Sequence, residues 1–262
     1  MHGSCLCGLV EFEAVPDRHV IACHCSQCRK QSGHFWAATF AWHKDFRLIR
    51  AEGLRWYDAS DKARRGFCGG CGAFLFWQPV GEDRISIAGG AFDGETGLHV
   101  GESWHNEDAG DYYSPDGSAP PPPGVGPLVP QLQGSCLCGA NRFALPGPMG
   151  AVTACHCHAC RKTSGHYAAS FPVTPEAITW HARQVDEYED SMGNRRGFCP
   201  TCGSKLYVQD AAGGFQLAAA AVDTPTDGAT GGHLARHVFV AEKSDYHDLT
   251  DGLPQHPAGA GG

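Results

Sequence analysis

The chain has 262 residues, enough for one large domain or two small domains that each bury a core. Its 20 Lys and Arg residues against 28 Asp and Glu residues give a formal net charge of −8, which argues against a nucleic-acid partner, because such proteins usually carry a basic face. The sequence has no apolar run of about 18 residues and no secretory signal after Met1, so we expect a cytoplasmic protein with no membrane span and with reduced cysteines.

Short stretches of β character follow one another through the first part of the chain. Residues 9–13 and 46–49 alternate between apolar and polar side chains, and residues 54–57, 73–77 and 85–87 are further short strand candidates. Turns rich in Gly, Pro and Asp separate these stretches, and no long pattern has a helical period. The sequence therefore predicts a mainly β fold.

One cysteine motif breaks this pattern, between the first two strand candidates. The segment Cys23–His34 reads C-H-C-S-Q-C-R-K-Q-S-G-H, with three cysteines in six residues. A single helical turn over Ser26–Lys30 would bring Cys25 and Cys28 to neighbouring positions. Three thiolates in C-x-C-x-x-C spacing can bind one metal ion and leave a tetrahedral ion one ligand short, as in catalytic zinc sites.

The motif belongs to an internal repeat that spans the whole chain. Gly3–Gly8 recurs as Gly134–Gly139 with an offset of 131 residues, and Arg64–Gly72 recurs as Arg195–Gly203 with the same offset. The triplet segment recurs as residues 155–166 with an offset of 132 residues. We predict two homologous domains at residues 1–118 and 134–257, a Pro-rich linker at 119–133 and a flexible tail at 258–262.

Each copy contains seven cysteines, an odd number that a pure disulfide framework would leave with one thiol unpaired. Four plus three suits metal better, because C-x-x-C-G is a zinc-knuckle motif that a second cysteine pair completes. We therefore expect up to four Zn²⁺ per chain. The predicted structural ligands are Cys5, Cys7, Cys68 and Cys71 in the first copy and Cys136, Cys138, Cys199 and Cys202 in the second. The predicted catalytic ligands are Cys23, Cys25 and Cys28, and Cys155, Cys157 and Cys160.

Two other interpretations of the triplet remain open from the sequence. It could hold a second, purely structural zinc with His24 or His34 as the fourth ligand. It could also be a redox C-x-x-C motif at Cys25 and Cys28, but the βαβ pattern that accompanies such motifs is missing.

At these three motifs the chain resembles the glutathione-dependent formaldehyde-activating enzyme family, which also includes centromere protein V. The shared patterns are Gly-Ser-Cys-x-Cys-Gly, Cys-His-Cys-x-x-Cys-Arg-Lys-x-Ser-Gly and Gly-Phe-Cys-x-x-Cys-Gly, and both copies contain them in this order. The resemblance implies a β-tent fold like that of Mss4 in each domain, with a Cys₄ structural zinc and a labile three-cysteine catalytic zinc.

The resemblance also implies an activity, that of a carbon–sulfur lyase similar to S-(hydroxymethyl)glutathione synthase. Such an enzyme reversibly adds a thiol, glutathione or a similar one, to formaldehyde or another small aldehyde. Family members that act on S-(hydroxymethyl)glutathione carry Cys-Gly-Cys-x-x-Cys-Trp-Lys-Pro, whereas both copies here have the general form of the motif. Glutathione and formaldehyde are the default expectation from the family, and this difference in the motif leaves other thiols and aldehydes open as substrates.

Candidate catalytic residues lie in and after the triplets. The unperturbed pKa of histidine suits proton transfer, which makes candidates of His24, His34, His156 and His166. The basic pairs could bind a substrate carboxylate such as those of glutathione, or could balance the thiolate charge. These basic residues are Arg29, Lys30, Arg161 and Lys162.

The two copies differ near their C-terminal ends. Aligning Asp245-Tyr246 on Asp111-Tyr112 places Ser103 opposite His237, so His237 is a further catalytic candidate and the second copy is the better equipped. We expect the two copies to pack as an intrachain pseudo-dimer, in a monomer or in a homodimer.

Two alternatives to a lyase fit the same motifs. One is a non-catalytic, zinc-stabilised binding module, as the resemblance to centromere protein V allows. The other is an enzyme that uses a zinc-bound water on a different small electrophile and so needs no thiol.

Overall fold

The computed structural model describes residues 1–122 and 126–259, so parts of the predicted linker and tail, residues 123–125 and 260–262, lie outside the described residues. The first half is built from β1 (His2–Ser4), β2 (Glu11–Ala14), β3 (His19–Cys23), α1 (Ser26–Ser32), β4 (Trp36–Trp42), β5 (Phe46–Arg50), β6 (Leu54–Asp58), β7 (Ala63–Cys68), β8 (Phe74–Pro79), β9 (Arg84–Ala88) and β10 (His99–Trp104).

The second half repeats this order of elements. It is built from β11 (Gln131–Ser135), β12 (Arg142–Pro146), β13 (Gly150–Cys155), α2 (His158–Ser164), β14 (Ala168–Pro172), β15 (Thr179–Ala182), β16 (Asp186–Glu189), β17 (Arg195–Phe198), β18 (Lys205–Gln209), β19 (Phe215–Ala218), β20 (Gly232–Val238) and β21 (Gln255–His256). In the described parts of the chain, no helix has both the length and the apolar character needed to cross a membrane.

Each half combines a small and a large sheet. In the first half these have the strand orders β1-β2-β5 and β10-β3-β4-β9-β8-β7-β6. In the second half the orders are β11-β12-β15 and β16-β17-β18-β19-β14-β13-β20-β21, which is the same arrangement with β21 added at one edge. The prediction of a mainly β fold, repeated in two tandem halves, is confirmed.

The strand candidates from the sequence correspond to β2, β5, β6, β8 and β9, and the helical turn corresponds to α1. Helix α1 is short because its ends are fixed by local geometry. Cys25 occupies the N-cap and its sulfur accepts a hydrogen bond from the Cys28 amide, while Gly33 ends the helix in the left-handed conformation with φ 86°. Strand β11 begins at Gln131 and buries Leu132, so the second half starts inside the segment predicted as linker.

The two halves exchange their C-terminal segments. Asp111 of the first half accepts hydrogen bonds from the amide and hydroxyl of Thr230 in the second half, both at 2.7 Å. Asp245 of the second half accepts hydrogen bonds from the amide and hydroxyl of Thr96 in the first half, both at 2.8 Å, and from the Gly97 amide. Each half therefore lacks part of its own surface and receives it from the other.

The tyrosines that follow these aspartates enter the opposite core. Tyr112 and Tyr113 pack in the hydrophobic cluster of the second half, and Tyr246 packs in that of the first half. Tyr112 bonds through its hydroxyl to Nδ1 of His34, and Tyr246 bonds in the same way to Nδ1 of His166, both at 2.7 Å. The two histidines are buried, so these hydrogen bonds satisfy ring nitrogens that water does not reach.

Candidate functional site

The four-cysteine groups predicted from the spacing are assembled in the structure. In each half the four sulfur atoms lie within 4.8 Å of one another. The sulfurs of Cys5 and Cys7 are 3.6 Å apart, as are those of Cys136 and Cys138. Tetrahedral coordination with Zn–S bonds of about 2.3 Å puts sulfurs roughly 3.8 Å apart, so both groups fit a closed zinc site.

The knuckles of the two four-cysteine groups meet across the interface between the halves. Gly72 has a φ of +73°, and a Cβ atom built on it would lie 2.6 Å from the Phe198 ring. Gly203 has the same relation to Phe67, at 2.5 Å. The buried Lys205 ammonium donates to the carbonyls of both glycines. Only glycine allows this close approach, so the loops that carry the two candidate metal centres pack directly against each other.

The three-cysteine groups lie where β3 enters α1 and where β13 enters α2. Their sulfur atoms also lie within 4.8 Å of one another in each half. Within residues 1–122 and 126–259, no His, Cys, Asp or Glu completes either set of three at that distance. The donor set is therefore three thiolates with room for one further ligand, the composition of an open zinc site.

The two histidines considered as fourth ligands make other contacts. Nδ1 of His24 is hydrogen-bonded to the Tyr113 hydroxyl at 2.8 Å, and the ring lies against Phe35 with centroids 4.6 Å apart. Nδ1 of His34 is bonded to Tyr112. Neither ring joins Cys23, Cys25 and Cys28 in a group with all ligand atoms within 4.8 Å of one another, so the structure gives no support to a fourth imidazole ligand in the first half.

A buried arginine lies against each three-cysteine group, and the sequence analysis did not identify it. The guanidinium of Arg65 donates to the Cys28 sulfur at 3.6 Å, and Arg196 donates to the Cys160 sulfur at the same distance. A zinc ion with three thiolates has a net charge of −1, so a guanidinium in contact with a thiolate offsets that charge. The signal that could have found them is Arg-Arg-Gly-Phe-Cys, which occurs in both copies, with its second arginine on the buried face of β7 or β17.

The four basic residues of the two triplet motifs all form hydrogen bonds across the interface between the halves. Arg29 donates to the Thr224 hydroxyl, and Lys30 binds the Ala221 carbonyl and the carboxylate of Asp223. In the other direction, both cations of α2 reach first-half groups. Arg161 donates to the carbonyls of Gly90 and Phe92, and Lys162 to those of Ser4 and Ala91 and to the Asp93 carboxylate. These contacts satisfy cations that the sequence analysis considered for substrate carboxylates.

A cavity of about 370 Å³ lies between the halves, beside the exchanged segments. Its walls come from both halves. The aromatic part consists of Phe35, Tyr113, Tyr167, Tyr246 and the rings of His99, His166, His237 and His247. Of the predicted catalytic histidines, His166 and His237 line this cavity directly.

The wall differs between the two halves in a way that bears on catalysis. Nε2 of His156 and Nδ1 of His237 are 2.9 Å apart, and Nε2 of His237 is 2.8 Å from a carboxylate oxygen of Asp251. Strand register shows the equivalent position in the first half, since His237 pairs with Ala154 and Ser103 pairs with Ala22. The first half therefore has serine where the second has a hydrogen-bonded histidine.

Sequence comparison had already suggested His237, but it did not identify Asp251. Asp251 lies four residues after His247, which is aligned with Tyr113 of the first half. The position four residues after Tyr113 is Gly117. Both Asp251 and Gly117 line the cavity. The chain Asp251–His237–His156 leads from the cavity to the residue between two cysteines of the second group.

Five of the histidines around the site are neutral at pH 7. Burial lowers the pKa of His24 to about 4 and that of His156 to about 3, and the nearby Arg29 and His237 respectively add to the effect. Burial also holds the pKa values of three further rings well below the ordinary range: His34, His166 and His247. Neutral rings can accept or donate single hydrogen bonds but add no positive charge to the site.

Comparison with known proteins finds a matching family model and several similar proteins. The family model described as glutathione-dependent formaldehyde-activating enzyme matches residues 1–107 and again residues 131–240. A Halomonas elongata protein, provisionally named a glutathione-dependent formaldehyde-activating enzyme, is 34% identical over 88 residues, covering 30% of this chain and 56% of the relative. An uncharacterized lyase of Schizosaccharomyces pombe is 29% identical over 79 residues, covering 30% of this chain and 58% of the relative. A crystal structure of a Rhodobacter sphaeroides protein is 29% identical, with a TM-score of 0.32, covering 37% of this chain and 91% of that one.

Two similar mainly β halves, each with a four-cysteine and a three-cysteine group, define a tandem cysteine-rich protein of the kind that binds metal. The two matches together extend over most of the sequence, and the chain belongs to the glutathione-dependent formaldehyde-activating enzyme family. The chain spans a little over half the length of the curated relatives it matches.

Proposed function

We propose that the protein is a zinc-dependent carbon–sulfur lyase that reversibly adds a small thiol to formaldehyde or another small aldehyde. The observation that carries this proposal is the three-cysteine group, which within the described residues has no fourth side-chain ligand. A closed site would only stabilise the fold, whereas an open position leaves room for a reacting group. Membership of the family and the lyase name of one relative support the same class of reaction.

Cys155, Cys157 and Cys160 would hold the reactive ion in the second half, and Cys23, Cys25 and Cys28 would hold its counterpart. When bound there, zinc supplies Lewis acidity that lowers the pKa of a thiol entering the open position. The protein contributes Arg196, whose charge offsets the thiolates and whose own position is fixed by Asp190.

In the addition, a carbon–sulfur bond forms between the thiol sulfur and the carbonyl carbon. The π electron pair of the carbonyl moves to oxygen, which takes up the proton that the thiol loses, so the reaction is balanced without a further reactant. We assign handling of that proton to the pair formed by His237 and Asp251 at the cavity wall. The carboxylate fixes the tautomer of His237, since it accepts the hydrogen on Nε2 and leaves Nδ1 as the atom facing His156.

We further propose that the second centre performs most of the turnover. Its support is the difference between the halves: the first has Ser103 and Gly117 at the positions of His237 and Asp251. Two other candidates, His34 and His166, are bonded to tyrosines, and we assign them to positioning the exchanged segments. We propose that the exchange is completed within one chain, so the active form is a monomer.

The test combines metal content with kinetics of matched variants. Elemental analysis of protein purified without chelator should give about four zinc ions, two of which a mild chelator removes first. Cys160→Ser should abolish most formaldehyde consumption in the presence of thiol, and Cys28→Ser, its counterpart, should leave most of it. Equal losses would overturn the assignment to the second centre.

The same experiment decides between the alternatives. Four tightly held ions and no thiol-dependent turnover would favour a zinc-stabilised binding module. Turnover of an electrophile without any added thiol would favour chemistry with water as the nucleophile.

A further inference from the structure

We propose that the cavity between the halves selects small uncharged or cationic substrates and disfavours anionic thiols, glutathione included. The proposal names the substrate class of the site proposed above and rests on that proposed function. No cysteine of the three-cysteine groups lines the cavity in the described residues, and the cavity is linked to the second group through His237 and His156. The proposal follows from three properties of the cavity wall, namely its carboxylates, the positions of the nearby cations and its aromatic rings.

Of the Asp, Glu, Lys and Arg residues in the described part of the chain, only aspartates line the cavity. Asp116, Asp248 and Asp251 line the cavity, and within the described part of the chain no Lys or Arg does so. The buried rings of His166 and His247 are neutral at pH 7 and do not offset these charges. Asp251 is bonded to His237, whereas Asp116 and Asp248 are exposed and contribute a negative potential where a ligand enters.

The cations closest to the cavity already have partners. Arg29 is almost fully buried and donates to Thr224 of the opposite half. Lys243 donates to the carbonyls of Ser244 and His247, behind the wall. Lys30, Arg161 and Lys162 bind groups at the interface between the halves. A substrate carboxylate would have to break one of these contacts or be buried without a counterion, and a carboxylate buried in that way is strongly disfavoured.

The rest of the wall favours flat apolar groups or an ammonium. Phe35 and Tyr113 stack with centroids 5.8 Å apart, and Tyr167 meets Phe35 edge to face. The faces of such rings attract cations, and they also pack well against planar apolar surfaces. The wall therefore combines negative charge and aromatic faces, a surface that suits an ammonium and does not suit a carboxylate.

A charge series of small thiols tests the inference with little change in size. Cysteamine is cationic, 2-mercaptoethanol is neutral and 3-mercaptopropionate is anionic. Calorimetric binding to the zinc-loaded protein, together with kcat/KM for formaldehyde, should rank them in that order. We expect the dissociation constant to rise about fivefold for each unit of charge from cation to anion, which is the effect of two charges about 4 Å apart in water.

Removing the charges of the two exposed carboxylates at the cavity should reduce the differences in affinity among the three thiols. The double variant Asp116→Asn with Asp248→Asn should reduce the spread several-fold, and raising the salt concentration should do so as well. The matched control is Asp61→Asn, an exposed carboxylate outside the cavity wall, which should leave the ranking unchanged. Equal or tighter binding of 3-mercaptopropionate or glutathione would overturn the inference.

The two proposals fail in different ways. If cysteamine binds best but no thiol supports formaldehyde consumption, the reaction is wrong and the selectivity of the cavity stands. If all three thiols bind and react equally well, the reaction stands and the inference about charge is wrong.

Discussion

Replacing Asp245 by asparagine should weaken the exchange between the halves. The carboxylate accepts three hydrogen bonds at 2.8 Å, from the amide and hydroxyl of Thr96 and from the Gly97 amide. An asparagine keeps one oxygen acceptor for the two amides, and its uncharged NH₂ group replaces the carboxylate oxygen that accepts from the Thr96 hydroxyl. The variant therefore loses at least one charge-assisted hydrogen bond between the halves.

The size of the effect follows from the number of bonds lost and from their exposure. Hydrogen bonds to charged groups contribute about 1.5–3 kcal/mol when they are buried, and water replaces part of this at an exposed residue. We expect the free energy of unfolding to fall by about 1–2 kcal/mol, which lowers Tm by about 2–6 °C for a chain of this size. Asp111→Asn, its counterpart, should have a slightly smaller effect, because Asp111 accepts the two equivalent hydrogen bonds from Thr230 but no third one from a glycine amide.

The effect should depend on pH in a defined direction. Burial raises the pKa of Asp245, but the donors of Gly97 and Thr96 lower it by more, so the net pKa is below its ordinary value. A carboxyl with a depressed pKa in the folded state stabilises the protein above its unfolded pKa of about 3.9, and the contribution is lost as the pH falls through the lower folded value.

Thermal unfolding followed by circular dichroism at pH 7 and at pH 3 measures both effects. The difference in Tm between the wild type and Asp245→Asn should have its full size at pH 7 and should be smaller at pH 3. Asp61→Asn serves as the control at both pH values. Identical melting at pH 7, or a difference in Tm that remains the same at pH 3, would refute the role given to this carboxylate.

Three further predictions concern the metal centres and the interface. Arg196→Met should speed zinc loss to a chelator, measured with a zinc indicator, whereas the exposed neighbour variant Arg195→Met should not; equal rates would contradict the charge argument. Burial lowers the pKa of Lys205 to about 8. The free energy of unfolding should therefore rise by on the order of 2–3 kcal/mol between about pH 8 and 10.4 in the wild type, but not in Lys205→Met. The same pH dependence in both proteins, measured by denaturant unfolding, would contradict this prediction. Gly72→Ala should lower the free energy of unfolding by more than about 2 kcal/mol, since it adds a steric clash to backbone strain. Gly81 has a similar φ and nothing near its Cβ position, so Gly81→Ala should show the effect of the strain alone. Equal losses of stability in urea unfolding would show that the close approach at Gly72 is unimportant.

The sequence was sufficient for the elements that depend on spacing. The C-x-C, C-x-C-x-x-C and C-x-x-C spacings predicted which cysteines lie side by side, because cysteines so close in sequence must also be close in space. That the two outer pairs join in one group of four followed from the count of seven cysteines per copy and not from spacing. Alternation and turn residues predicted five strands of the first half. The offset between the copies also aligned Ser103 with His237, and the strand register agrees.

Contacts between elements distant in sequence could not be predicted in the same way. Arg64 and Arg65 look alike in the sequence, but alternation along β7 leaves the first exposed and buries the second against Cys28. Which face of that strand is buried depends on packing. The exchange of Tyr112 and Tyr246 likewise depends on tertiary contacts that no local pattern records, and so do the partners of the motif's basic residues.

Joining the two halves in one chain has a consequence for how their shared cavity can evolve. In a symmetric homodimer every substitution appears twice, so two facing walls must carry the same residue at each position. A tandem chain is free of that constraint. Phe35 can face Tyr167, and Gly117 can face Asp251, across a single cavity. The duplicated chain can thus place different side chains at equivalent positions on the two walls, although both walls come from copies of one domain.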